Sequence, residues 1–466
     1  MKYNLETYGC EMNKAESAAL ETMLRERGWE AGPRESADLV LINTCTVRAT
    51  AENRAWGRIA QFASEKRKRP FSLVVVGCMA EQYREAMKER VPEIDYVLGT
   101  FQKQSFGLIL DQIAAGTSYD LADETPAYVF SKTHSEPGAF RAFVPIMHGC
   151  NNFCSYCIVP YVRGRETSRS PADILAELDS LEAAGVREVT LLGQNVNSYR
   201  WEGPQAGRGA EQASAAQAAG LGGALDFAGL LRAVAAHLRE KRASESASGG
   251  QGRGIGWIRF LTSHPKDLSD DLIRVIAEEP IYCRHVHLCI QSGSDRVLAA
   301  MNRKYTREYF LGLVGRMKAA IPGLSLSTDI LVGFPGETEE DVEETLEVMR
   351  KVRFTYSFMY YYNPREGTPA MKLPGKVPDK VKKARLARVI ALQKEISAGL
   401  MTERLGAIDE ILIEDRSKRS SKEMLGRTAR DEMVVIAADP ARIGQFARVA
   451  LKAKSGNTFR AEEVHE

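Results

Sequence analysis

The chain has 466 residues, 44% of them hydrophobic and 27% charged, a composition that excludes disordered and fibrous classes and fits a soluble globular protein. At roughly 150 residues per domain this length predicts about three domains, and no run of about 18 apolar residues exists to span a membrane. A net charge of +2 gives no whole-chain argument for nucleic acid, and MKYNLETYGCEMN at the start lacks the apolar core of a signal peptide, so a cytoplasmic location is expected.

Strand-like runs at 2–8, 37–42, 71–76 and 95–98 alternate with helical patterns at about 14–27, 51–66 and 82–89. Such alternation implies parallel pairing, so residues 1–115 are predicted to form an open parallel α/β sheet domain. A linker of low periodicity covers 116–138. From 139 to 375 the alternation resumes, with strands expected at 142–147, 188–192, 257–261, 285–290, 324–332 and 356–362. Helical patterns fall between them at 172–184, 227–239, 269–277 and 339–352. Six βα units predict a partial (βα)6 barrel rather than a closed eightfold one.

Two Gly-, Ala-, Ser- and Gln-rich pieces, 201–224 and 241–254, interrupt the barrel pattern and read as flexible surface insertions. A basic helical linker is expected over 376–403; residues 376–404 carry eight Lys/Arg against three Asp/Glu. Short alternating runs at 408–413, 433–437 and 446–451 then predict a small OB-like β-barrel over 404–466. The whole is an α/β protein with a β module appended.

In a reducing compartment the eight cysteines read as metal ligands or catalysts more than as disulfide halves. Cys150, Cys154 and Cys157 lie in HGCNNFCSYC with Cys-x3-Cys-x2-Cys spacing, just after the first barrel strand. Three thiolates in one tight loop can hold three irons of a [4Fe–4S] cube and leave the fourth open. S-adenosylmethionine (SAM) can chelate that open iron. A zinc knuckle is the competing reading, but it needs a fourth ligand at metal spacing, and His148 is a poor one. At later strand ends stand Gly193-Gln194-Asn195, Gln291-Ser292-Gly293-Ser294 and Gly333-Phe334-Pro335-Gly336-Glu337. Together with Tyr156 in the loop, the residues Gly193, Gln194, Asn195, Gln291 and Gly333 are expected to form a SAM pocket.

Cys10, Cys45 and Cys78 are far apart in sequence, yet each sits just past a predicted strand. In an open parallel sheet those ends converge on one edge, so these three are expected to hold a second cluster, again with one open iron. Cys289, in HVHLCI, reads as a small core residue, and Cys283 carries no expected role. His285 and His287, on the same strand, receive no assignment.

Arg163, Arg165 and Arg169 follow the cysteine loop closely and are candidates to bind phosphate or the SAM carboxylate. Arg416, Lys418, Arg419, Lys422, Arg427 and Arg430 decorate the terminal module without strong aromatic interleaving. That pattern favours contact with a nucleic-acid backbone, weakening as salt rises.

These segments together resemble the radical-SAM methylthiotransferases along the whole chain apart from the region near 201–254. The residues that carry the resemblance include TYGCEMN (7–13), NTCTVRATAENR (43–54), HGCNNFCSYCIVPYVRGRETSRS (148–170), LLGQNVNSY (191–199), QSGSDRVLAAMNRKYTR (291–307) and DILVGFPGET (329–338). Within the family the wording is similar to the MiaB type, with Glu11 where GCQMN is usual. The resemblance implies a terminal TRAM RNA-binding domain, two [4Fe–4S] clusters and two SAM per product. One SAM would give a 5′-deoxyadenosyl radical that takes hydrogen from C2 of N6-isopentenyladenosine beside the tRNA anticodon. The other would supply the methyl group of 2-methylthio-N6-isopentenyladenosine, and the Cys10/Cys45/Cys78 cluster would manage sulfur. It further implies a tRNA partner, a sulfur donor, a flavodoxin- or ferredoxin-like reductant, no membrane and a monomer. Alternatives are threonylcarbamoyladenosine in tRNA or a ribosomal-protein aspartate as acceptor, or a non-catalytic iron–sulfur RNA-binding protein.

Overall fold

The computed structural model describes residues 1–47, 49–118, 128–130, 138–203, 223–247, 254–418, 420 and 422–464. In the first module the chain runs β1 (Lys2–Thr7), α1 (Glu11–Glu26), β2 (Glu30–Ala31), β3 (Leu39–Thr44), α2 (Ala49–Lys66), β4 (Ser72–Gly77), α3 (Cys78–Arg90), β5 (Tyr96–Leu98) and α4 (Phe106–Ala115). The sheet order is β2-β1-β3-β4-β5, with every pair parallel. All six residues of β3 are buried, as a central strand covered on both faces requires. Ile59, Phe62 and Met79 cover one face over Val40, Ile42 and Val75. Leu20, Leu24, Phe106 and Ile109 cover the other over Leu39, Leu41 and Val76. Two elements escape a periodicity reading: β2 has only two residues, and α4 follows β5 after a single short turn. Helix α3 also starts at Cys78, four residues before the helical pattern becomes visible.

The second module continues with β6 (Arg141–Pro145), a hairpin of β7 (Met147–His148) and β8 (Thr167–Ser168) enclosing α5 (Val159–Arg163), then α6 (Pro171–Ala183) and β9 (Glu188–Leu192). A second small hairpin, β10 (Arg200–Trp201) with β11 (Leu225–Asp226), leads into α7 (Phe227–Ala247). Next come β12 (Trp257–Phe260), α8 (Asp270–Glu278), β13 (His285–His287), α9 (Asp295–Ala300), α10 (Arg307–Ala320), β14 (Ser325–Val332), α11 (Glu339–Val352) and β15 (Tyr356–Tyr361). The triplets β6-β9-β12 and β13-β14-β15 are parallel throughout. Parallel bridges Ile258↔Tyr282 and Ser263↔Leu288 join them. Six parallel strands in sequential order therefore form a partial barrel, open between β6 and β15.

Residues 241–254 were expected to be an insertion, but α7 runs on through their first seven positions. Lys241 explains why: its Nζ donates to Asp179 at 2.8 Å and pairs with Glu182 at 2.9 Å, both on α6. Most of the linker 116–138, and residues 204–222 and 248–253 of the insertions, lie outside the described residues.

Helix α12 (Asp379–Glu403) lies along the outer side of β15, where Ser357 Oγ donates to Gln393 at 2.5 Å. The third module is a closed barrel, β16 (Ile408–Arg416), β17 (Glu423–Thr428), β18 (Met433–Ala437), β19 (Phe446–Ser455) and β20 (Thr458–Glu463), in order β16-β17-β18-β20-β19. It closes on a core of Ile411, Ile413, Val434, Val449 and Phe459. Among the described residues no helix is long and apolar enough to cross a membrane.

Candidate functional site: a cavity lined by six cysteines

A cavity of about 1280 Å³ lies where the three modules meet, and all six cysteines of the two expected sets line it. The first module reaches it because α1 sits on the open β6 side of the partial barrel, with Met12 and Ala15 packed on Leu192, Phe143 and Leu261. Cys78 in turn packs on Ile158 and Val162, directly after Cys157, so the two sets face each other.

The dispersed set is assembled by two buried asparagines. Asn13 Nδ2 donates to Asn43 Oδ1 and to the Thr44 carbonyl, both at 3.0 Å. Asn43 Nδ2 returns bonds to the Asn13 carbonyl and Ser17 Oγ, both at 2.9 Å. This clasp holds the loop after β1 against the loop after β3, and so Cys10 beside Cys45. Cys10 also caps α1, its backbone N–H donating to Asn13 Oδ1 at 3.3 Å. Gly77 brings in the third thiol: its φ is +99°, and a Cβ there would meet the Thr44 carbonyl at 2.5 Å. Only glycine allows β4 to turn so sharply beside β3 and start α3 on Cys78.

The contiguous set is closed by local contacts. Cys150 N–H donates to the Gly164 carbonyl at 3.1 Å and Cys157 N–H to the Cys154 carbonyl at 3.0 Å. A Cβ on Gly149, whose φ is +77°, would lie 2.0 Å from the Arg165 carbonyl oxygen. Asn302 Nδ2 donates to the Phe153 carbonyl at 2.8 Å, and Ser155 Oγ to the Ala300 carbonyl at 2.8 Å, which fix the loop to the end of α9.

Burial pushes the thiols of Cys78 and Cys157 up to about 12 and that of Cys150 up to about 11. As thiols they keep their protons at neutral pH, and metal binding would release them. Each set also has a buried guanidinium at a sulfur. Arg163 Nε donates to Cys78 Sγ at 3.2 Å, and Arg303 Nη1 to Cys154 Sγ at 3.4 Å. Triplets of cysteine on a roomy cavity, each with a cation ready to compensate thiolate charge, fit [4Fe–4S] clusters with an open iron better than closed zinc sites.

The other expected residues divide. Tyr156, Gly193, Gln194, Asn195 and Gln291 line the cavity. The Gln194 side-chain oxygen is buried with no protein partner, an acceptor available to a ligand. Asn195 is committed internally: its Nδ2 donates to Asp267 at 2.7 Å, and its Oδ1 accepts from His264 N–H at 3.1 Å. Gly333 is off the cavity; it abuts Lys382 of α12, and its N–H donates to Glu337 at 2.6 Å.

Arg163 is not the open loop residue that was expected: it is 2% exposed, and its guanidinium meets Glu16 at 2.9 and 3.2 Å and ties α5 to α1. Arg163 and Lys103 together hold the Glu16 carboxyl at about 2, well below the usual carboxylate range, despite its burial. Arg169 is likewise buried, paired with Glu177. Arg165 is exposed beside the loop, 4.4 Å from the Phe153 ring centre. In the terminal barrel Arg416, Lys418 and Lys422 are exposed around the β16–β17 hairpin, and Arg419 lies outside the described residues. Arg427 is half-buried and occupied, with Glu414 at 3.0 Å and Asp431 at 2.8 Å.

The sequence reading missed the Asn13–Asn43 clasp, Arg303 and a group on the barrel wall. Both asparagines stand within three residues of a ligand-type cysteine, a signal that was there to use. Cys289, expected in the core, lines the cavity instead, its thiol donating to Asp329 at 3.3 Å. His287 Nε2 reaches the same carboxylate oxygen at 3.5 Å, and the three ligand-type atoms lie within 4.8 Å of one another.

Known proteins agree with this architecture. Residues 144–349 match the model of the Radical SAM superfamily, 2–99 that of Uncharacterized protein family UPF0004, and 403–463 that of the TRAM domain. A tRNA-2-methylthio-N(6)-dimethylallyladenosine synthase of Treponema pallidum is 46% identical over 100% of this chain and 99% of its own. Proteins of the same name from Treponema denticola and Carboxydothermus hydrogenoformans are 46% and 41% identical, each over 99% of this chain and at least 98% of theirs. The radical S-adenosylmethionine methyltransferase TsrM of Kitasatospora setae shares the fold at 17% identity, with a TM-score of 0.57 over 79% of this chain and 77% of that one. With domain order, site and full-length identity in agreement, the chain belongs to the MiaB-type radical-SAM methylthiotransferases, enzymes that use S-adenosylmethionine and [4Fe–4S] clusters.

Proposed function

We propose that this chain methylthiolates C2 of N6-isopentenyladenosine next to the anticodon of tRNA, giving 2-methylthio-N6-isopentenyladenosine. The observation that carries the reading is the meeting of two cysteine triplets and the TRAM barrel on one cavity. In it Cys150, Cys154 and Cys157 hold the SAM-binding cluster, and Cys10, Cys45 and Cys78 hold the auxiliary one. When bound, these clusters and SAM supply the radical and the sulfur that no side chain can provide, since a purine C2–H is neither acidic nor electrophilic.

The protein's own residues bind, orient and exclude water. Tyr156, Gly193, Gln194 and Gln291 form the SAM wall, with the unpaired Gln194 oxygen as an acceptor. Arg303 sets charge at Cys154, and Arg163 does so at Cys78. Arg165, Arg416, Lys418 and Lys422 contact the RNA backbone from exposed positions. A sulfur donor and a flavodoxin- or ferredoxin-like reductant serve a cytoplasmic monomer.

Nucleoside mass spectrometry of tRNA from a strain lacking the gene tests this. The methylthio group on isopentenyladenosine should disappear and return on complementation. Its persistence, in a strain with no second such enzyme, would falsify the substrate assignment.

A further inference from the structure

Two neighbouring strands bring together three ligand-type side chains that neither cysteine triplet uses. Along β13 and the residues that continue it, Val286, Leu288 and Ile290 pack into the main core. Strand alternation therefore turns His285, His287 and Cys289 to the opposite side. β14 runs parallel to β13 with Ser327 opposite His287, and Asp329 follows Ser327 on the same face. His287, Cys289 and Asp329 all line the cavity.

The three meet at one point. Cys289 Sγ lies 3.3 Å from Asp329 Oδ2, and His287 Nε2 lies 3.5 Å from the same oxygen. All three ligand atoms fall within 4.8 Å of one another. Donors around a tetrahedral zinc, with bonds of about 2.0–2.3 Å, stand roughly 3.3–3.7 Å apart. These side chains are thus already near ligand spacing. The imidazole is also held from behind. Ser327 Oγ lies 2.8 Å from His287 Nδ1 and 2.9 Å from His285 Nε2. The hydroxyl has one proton to give, so at least one of the two rings must donate to it. Donation from His287 Nδ1 leaves the Nε2 lone pair aimed at Cys289 and Asp329, the way zinc-binding histidines are commonly fixed. The backbone of Cys289 is anchored too, its carbonyl accepting from the Tyr305 hydroxyl at 3.1 Å and from Arg303 Nη2 at 2.5 Å.

We infer that His287, Cys289 and Asp329 form a metal site separate from both triplets, taking one zinc-type divalent cation with its fourth position open to the cavity. Donor chemistry selects the metal. A thiolate and an imidazole favour zinc over magnesium or calcium, which seek oxygen, and a single thiolate is too few for an iron–sulfur cluster. Cys289 and Asp329 as anions balance the two charges of the ion, and the thiol proton leaves to solvent on binding. Three protein ligands with one open position are the pattern of reactive rather than structural zinc. The site does not depend on the substrate proposed above.

The test uses reconstituted holoenzyme, in which iron and sulfide already occupy the two triplets. It is equilibrated without oxygen against Zn2+ alone, and zinc and iron are then measured together. Wild type should bind one zinc per chain with iron unchanged at roughly eight. Cys289→Ala should lose the zinc, and His287→Ala and Asp329→Asn should weaken it strongly. Ser327→Ala, which only releases the imidazole, should weaken it ~10-fold, whereas Cys283→Ala should bind as wild type does. X-ray absorption at the zinc edge should find one sulfur at about 2.3 Å with nitrogen and oxygen neighbours. Wild type that takes up no zinc, or zinc retained in Cys289→Ala, overturns the inference and leaves a hydrogen-bonded trio. So does zinc that rises as iron falls and shows three or four sulfur neighbours, which would place it in a cysteine triplet. If Cys289→Ala fails to fold, Cys289→Ser keeps the volume and should still remove the sulfur neighbour.

Discussion

The two cysteine triplets line one cavity but are built by opposite means. Cys150, Cys154 and Cys157 fall within eight residues, and short-range hydrogen bonds, Gly149 and the end of α9 shape their loop. Cys10, Cys45 and Cys78 come from three strand ends and meet only because the sheet order places β1, β3 and β4 side by side. The difference teaches where each site is vulnerable. A contiguous loop depends on its own residues, while a dispersed site depends on whatever keeps three loops in register, here the Asn13–Asn43 clasp and the turn at Gly77.

The comparison breaks most visibly under direct ligand loss. Cys154→Ala should abolish both SAM cleavage and product, followed as 5′-deoxyadenosine and methylthiolated nucleoside. Cys10→Ala should abolish product alone and lower bound iron from roughly eight to roughly four per chain. Loss of SAM cleavage as well, in a folded protein, would mean the two sites do not act separately.

Next comes the strut between the sites. Arg163→Ala leaves Glu16 buried beside Lys103 without its main partner, a loss of about 3–5 kcal/mol for breaking a buried pair. Thermal unfolding should register it, and iron loss should begin at the Cys78 side, where the guanidinium touches sulfur. A variant as stable as wild type would remove Arg163 as the link between α5 and α1.

A smaller effect concerns pH. Burial holds His285 at about 4, against an ordinary 6.5, so it is neutral in the folded protein. Its contribution is complete above pH 6.5, where neither state is protonated. It is lost as pH falls toward 4, because the unfolded chain then takes up the proton first, at a cost approaching roughly 3 kcal/mol. His285 belongs to neither triplet, so His285→Gln should flatten the stability slope between pH 6.5 and 4 without changing iron content at pH 7.5. An unchanged slope would rule out His285 as its source.

The smallest change is the most selective. Asn13→Ala removes one half of the clasp and strands Asn43 Oδ1 and the Thr44 carbonyl, about 2 kcal/mol. Iron should leave the dispersed site while SAM cleavage continues; equal loss from both sites would contradict the local role of the clasp.

Much of this site was legible in the sequence. The closeness of Cys150, Cys154 and Cys157 was legible because the loop is short enough for local geometry to decide it. Strand alternation likewise announced the parallel sheet and the six βα units, since both depend on period and order along the chain. Arg163 and Arg427 were misjudged because charge in a sequence does not say whether a carboxylate from elsewhere, Glu16 or Asp431, will bury it. Gly333 and Cys289 exchanged places for a similar reason: which residues of a strand or its end face the cavity depends on neighbours such as Lys382 and Asp329.

The sequence by itself determined the three modules, the identity of the six thiols and the contiguous loop, all set by interactions that are short in chain length. The convergence of the second triplet was expected from strand order, but only the tertiary structure decided that the two triplets share one cavity with the TRAM barrel. Those facts follow from sheet order and domain docking, where residues tens to hundreds apart meet, and no local pattern encodes such distances.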